Sequence, residues 1–139
     1  MMLGLTPDPI DVEAVRDAVS DPGFGAVLVF EGTARNHFEG RPVLGLSYEA
    51  YPELAVPVLE AIAAEIDERW SARVAIVHRT GDVPLTEPTV VIAVGTPHRA
   101  ACYEASRYAL EALKARLPVW KKEVYDDGHR WKANEVPDE

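Results

Sequence analysis

Three stretches of helical apolar spacing, each followed by two strand-like segments, constrain this chain more than any other feature. Val12, Val15 and Val19 fall at helical spacing behind Asp8-Pro9, which reads as an N-cap with proline at the first helical position. Asp21-Pro22-Gly23 ends that pattern, so a helix is expected from about Pro9 to Ser20. Leu54, Val58, Ile62 and Ile66 predict a second helix from Pro52 to Trp70, in which Pro57 would remove a backbone hydrogen bond and kink the axis. Thr96-Pro97 opens a third as N-cap and first-turn proline. Its buried stripe reads Cys102, Ser106, Ala109, Leu110, Leu113 and Leu117, and Pro118 stops it.

Strands are expected at 25–32, 43–51, 73–78, 89–95 and 119–125, with a short return strand at 130–132 after the Asp127-Gly128 turn signal. In the second of these, Leu44, Leu46 and Tyr48 should share one side. Residues 33–42 and 81–88 read as loops. The order α β β α β β α β β argues for the α+β class, with helices packed on one side of a largely antiparallel sheet. The length of 139 residues suits one domain over 1–139.

Charge narrows the partners. The net charge is −9, which disfavours a nucleic-acid backbone as ligand. Residues 1–97 carry six arginines, no lysine and fifteen acids, whereas 98–122 carry six basic residues and two acidic ones. A basic island on an acidic chain suits a small anionic ligand. All four lysines (Lys114, Lys121, Lys122 and Lys132) lie in the last 26 residues. Lysine supplies an amine whose pKa can be lowered, which arginine does not. With one cysteine, Cys102, no disulfide framework or cysteine metal cluster forms within the chain. No secretory signal or membrane-length apolar run is visible, so a cytoplasmic protein without metal or cofactor is expected.

Several residues have the chemistry of a site. His98 and Arg99 stand in the first turn of the third helix, where backbone N–H groups and the helix dipole favour an anion. Lys114 lies about 22 Å further along the same helix, where it could equally complement the C-terminal dipole. In Val119-Trp120-Lys121-Lys122-Glu123, Lys121 and Glu123 share one strand face, and Trp120, Lys122 and Val124 share the other. A plain surface ion pair would contribute only ~0–1 kcal/mol. Arg35 follows a strand end, a common place for ligand contacts. His37 reads as solvent-exposed, and His78 and Arg79 as structural or interfacial.

Taken in order, these blocks resemble the large, catalytic subunits of molybdopterin synthase, the MoaE-like family. The resemblance is carried by Phe30-Glu31-Gly32-Thr33-Ala34-Arg35-Asn36-His37, Leu46-Ser47-Tyr48-Glu49-Ala50-Tyr51 and His78-Arg79-Thr80-Gly81. It continues through His98-Arg99, the block from Lys114 to Glu123, and Gly128-His129-Arg130-Trp131, covering about residues 9–132. Leu54 stands where many members have Met, and Thr86-Glu87 where Gly followed by an acid is common.

The resemblance implies an α/β hammerhead-type fold with a small β subdomain. It also implies a sulfurtransferase of molybdenum cofactor biosynthesis. Such an enzyme moves sulfur from the C-terminal Gly-Gly thiocarboxylate of a small ubiquitin-like carrier to a cyclic pyranopterin monophosphate. It implies a homodimer of large subunits within a heterotetramer. By the same resemblance Lys114 and Lys121 are the catalytic amines, Arg35, His98 and Arg99 hold anionic parts of the substrate, and Phe30, Glu123 and Arg130 support the site. The alternative is a non-catalytic regulatory domain that binds an anionic metabolite at His98 and Arg99. That alternative does not require Lys114 and Lys121 to share a pocket.

Overall fold

The computed structural model describes residues 2–125 in full and the backbone of residues 128–133. Four strands form the main sheet in the order β1-β5-β7-β2: β1 (Leu3–Thr6), β2 (Ala26–Thr33), β5 (Arg73–Arg79) and β7 (Pro88–Thr96). Helices α2 (Pro52–Trp70) and α3 (Arg99–Arg116) cover one face. The pleat decides which residues meet them. Val74, Ile76, Val90, Ile92 and Val94 join Leu59, Ile62, Ile66 and Leu113 in the main core. The intervening Ala75, Val91 and Ala93 point the other way.

That second face is closed by the short helix α1 (Val12–Asp17) through Val15 and by Val19 just beyond it. Helices therefore flank both faces of this sheet, where a single side was expected. A smaller sheet contains β3 (His37–Phe38), β4 (Arg41–Ala50), β8 (Val119–Tyr125) and β9 (Gly128–Ala133), with β6 (Gly81–Val83) also paired to β4. The α+β class holds, and among the described residues the strand pairs are antiparallel except β1 with β5.

Local departures from the sequence reading have physical causes. Asp11 caps α1, its carboxylate accepting from the Ala14 N–H at 3.1 Å, so the helix starts three residues after the expected Pro9. In α2, Pro57 is tolerated without a break. It lies on the exposed side, where water can serve the carbonyl it leaves without a partner. His98, not Thr96, is the N-cap of α3; the Thr96 hydroxyl instead donates to the His98 carbonyl at 2.6 Å.

A register shift between Val43 and Gly45 turns the start of β4, so buried Val43 joins Leu46, while Leu44 is exposed. On α3, Ala105 is a buried position and Ser106 only half-buried. Glu65 of α2 receives hydrogen bonds from Arg116 (2.7 and 3.0 Å) and from the Tyr108 hydroxyl, which ties the C-terminal half of α3 to α2.

Candidate functional site

Where the two sheets meet beneath α3, a cavity of about 390 Å³ opens. Its walls come from β2 and the loop after it, β3, β4, β7, α3 and β8. The end of β2 and the loop after it supply Phe30, Glu31, Gly32 and Arg35. β4 supplies Leu46 and Tyr48, α3 supplies Leu110 and Lys114, and β8 supplies Lys121 and Glu123. The period of two puts Lys121 and Glu123 on this face together with buried Val119 and Tyr125. Lys122 is not a lining residue. The two amines expected to act together thus share one cavity, as the metabolite-binding alternative did not require.

The close approach of β2 to β7 at the rim depends on glycine. A Cβ at Gly32 would lie 2.9 Å from Val90 Cγ1. The Thr89 hydroxyl donates to the Gly32 carbonyl at 3.1 Å, which closes the same corner.

The electrostatics are uneven. Burial pushes the Lys114 amine below its ordinary pKa, and the nearby Lys121 charge adds to the effect. Tyr48 moves upward because it is buried; a hydrogen bond with Thr89 opposes this and the Glu123 charge adds to it. Three cations (Arg35, Lys114 and Lys121) face two carboxylates (Glu31 and Glu123) among the described lining residues. The cavity is therefore a positive pocket in an acidic chain, suited to an anion. Among the described residues no group of three or more His, Cys, Asp or Glu is placed to hold a metal ion. A larger cavity of about 700 Å³ lies near the C-terminal end of α2, but it holds none of the site candidates. Its Arg73 is already paired with Asp21 at 3.2 Å.

Both sequence and fold place the chain among known proteins. The family model for the MoaE protein matches residues 5–116. The molybdopterin synthase catalytic subunit of Halalkalibacterium halodurans is 50% identical over 129 residues, which cover 92% of this chain and 83% of that protein. This chain belongs to the MoaE family. The crystal structure of molybdopterin synthase from Staphylococcus aureus superposes with a TM-score of 0.90 at 38% identity, covering 93% of this chain and 95% of that one. A protein–protein complex of subunits 1 and 2 of the molybdopterin-converting factor from Helicobacter pylori shares the fold. Its TM-score is 0.79 at 21% identity, covering 97% of this chain and 93% of that one.

As a MoaE-family chain it brings together five of the eight residues expected in the site: Phe30, Arg35, Lys114, Lys121 and Glu123. His98 and Arg99 stand apart from them within one chain. Both are exposed at the N-terminal end of α3, and the rise of the helix carries them more than 20 Å from Lys114. The backbone of Arg130 pairs with Glu123 across β8 and β9, while its side chain lies outside the described residues.

The cavity also contains residues to which the sequence reading gave no role: Tyr48, Thr89, Leu110 and, at the rim, His37. Tyr48 was legible only as a strand residue inside a resemblance block. His37 is exposed as expected, with Nδ1 3.0 Å from Asn36 Oδ1, yet it lines the opening.

His78 and Arg79, the last residues of β5, are buried. Arg79 Nη1 donates to Glu87 Oε1 at 2.7 Å, which anchors the loop where the sequence departs from the family pattern. In that loop Thr86 takes φ 78°, a left-handed conformation that glycine adopts without strain.

Proposed function

We propose that this chain is the catalytic subunit of a molybdopterin synthase. In this reading it transfers sulfur from the C-terminal thiocarboxylate of a small ubiquitin-like carrier to a cyclic pyranopterin monophosphate, twice, giving the dithiolene of molybdopterin. The observation that carries the reading is the convergence of Lys114, Lys121, Arg35 and Glu123 on one cavity. A thiocarboxylate tail and a phosphorylated pterin are both anionic, and the cavity offers three cations for them.

One amine stabilises the negative charge that develops at the glycine carbonyl as sulfur leaves. The other moves a proton at the pterin side chain, a role suited to Lys114 because its pKa is depressed. Arg35 holds an anionic group of the substrate. Glu123, two residues along the same strand face, orients Lys121. In a homodimer of this chain, His98 and Arg99 of a second protomer complete the anion site, which accounts for their separation from Lys114 in a single chain. The complete assembly is a heterotetramer with one carrier on each large subunit, working in the cytoplasm.

The test is a reconstituted assay with the full chain, a thiocarboxylated carrier and the cyclic pterin. The expected product carries two sulfurs per pterin. A chain that binds carrier and pterin but forms no sulfur-containing product would sink the proposal.

A further inference from the structure

The sulfur-transfer reading leaves one buried imidazole without a role. His78, near the end of β5, is 5% exposed and does not line the cavity. Its Nδ1 lies 2.8 Å from the backbone oxygen of Arg79. A carbonyl only accepts, so Nδ1 carries the proton in the neutral ring and Nε2 keeps its lone pair. The ring meets that of Tyr48 edge-on, with centroids 4.8 Å apart and planes at 74°. Tyr48 is a cavity wall and sits opposite Lys121 across the β4–β8 ladder. His78 also lies close enough to Lys114 to be influenced by its charge. One buried ring thus stands behind a wall of the cavity that holds both candidate amines.

We propose that His78 is a positioning residue of the sulfur-transfer site, whose uncharged ring backs Tyr48 and seals the wall behind Lys114 against water. The proposal rests on reading the cavity as that site. Its physical logic is that the two rings of this wall bury Lys114 without carrying a charge themselves. The titratable and charged groups around Lys114 are Lys121 and Glu123 on β8, Tyr48 on β4, His78 on β5, His37 on β3, and Glu31 and Arg35 on β2 and the loop after it.

Burial holds His78 at a pKa of about 4, with the Arg79 carbonyl opposing and the Lys114 charge adding. Burial likewise keeps Tyr48 a neutral phenol. Both members of this wall are therefore uncharged across the working range. They remove water from the Lys114 ammonium without offering it a negative charge, and this eases release of its proton.

The test uses the full-length chain and competitive acetylation across pH, read by mass spectrometry on the Lys114 peptide. His78→Asn keeps a donor for the Arg79 carbonyl but is too short to back Tyr48. Tyr48→Leu removes the wall from the other side and serves if His78→Asn does not fold. Ile62→Val, in the main core, controls for lost stability alone.

The expected result is a rise of about one pH unit in the Lys114 labelling midpoint in His78→Asn and Tyr48→Leu. The limb of the turnover profile that belongs to Lys114 should move the same way, and Ile62→Val should leave the midpoint in place. An unmoved midpoint in the folded His78→Asn or Tyr48→Leu chain, or an equal rise in Ile62→Val, overturns the inference. Failure of the underlying reading is separately visible: Lys114→Arg would then turn over normally whatever the labelling shows.

Discussion

At its N-terminal end α3 presents His98 and Arg99 to solvent; near its C-terminal end the same helix carries Lys114 into a cavity. The first end keeps its charge hydrated and offers it, with free backbone N–H groups, to a ligand arriving from outside. The second end has lost water around an amine and set another amine beside it. A hydrated charge can bind without penalty to the fold. A desolvated one gains a movable proton at the expense of stability. In the proposed mechanism one helix thus separates recognition from proton transfer.

The sharpest way to break this comparison is to keep the charge and remove the titratable amine. Lys114→Arg and Lys121→Arg should each fold and bind the carrier, and each should lose turnover by about 10²–10⁴-fold in the sulfur-transfer assay. Wild-type rates in either variant would mean that charge alone is enough. At the opposite end, His98→Ala should raise KM for the pterin roughly tenfold with little change in kcat. Because His98 is exposed, the melting temperature should not move. A kcat defect with unchanged KM would place His98 in the chemistry and erase the division between the two ends.

Stability tests the same contrast from the other side. The Lys114 pKa is lower in the folded chain than the ordinary 10.5 of the unfolded one. Between those two values the unfolded chain binds the extra proton, so stability should rise with pH there. Below the folded pKa the penalty is present in full. Lys114→Met should therefore melt a few degrees higher than the parent at neutral pH, and the alkaline rise should flatten, as read by thermal denaturation across pH. A lower melting temperature would show that the ammonium is well paired in the fold.

What could be read from the sequence follows the range of the interactions involved. Helix α2 was legible in its extent because its periodicity is local, but half of its stripe was misplaced: Leu54 is exposed and Val58 half-buried, while Ala55 and Leu59 join Ile62 and Ile66 in the core. The pairing of Lys121 with Glu123 on one face needed only the strand period. Strand β1 was missed because its four residues carry no pattern of their own; it exists by parallel pairing with residues more than seventy positions away. The bulge at Val43 and Gly45 reverses a face that simple alternation assigns wrongly. Tyr48, Thr89 and Leu110 enter the site only because β4, β7 and α3 meet in space.

The smallest expected effect sharpens the comparison most locally, within two adjacent residues. Lys121 lines the cavity, while Lys122 faces Ser47 on β4 and Trp131 on β9 and shares its strand face with exposed Trp120. Arginine retains the charge and most of the aliphatic stem at position 122, which lies off the cavity. Lys122→Arg should therefore stay within about twofold of the parent in turnover, with an unchanged melting temperature. Measured beside Lys121→Arg, it separates the face of β8 from its mere basicity. If Lys122→Arg were inactive and Lys121→Arg active, general positive charge could not explain the pair, and the strand face assigned to the chemistry would be the opposite one.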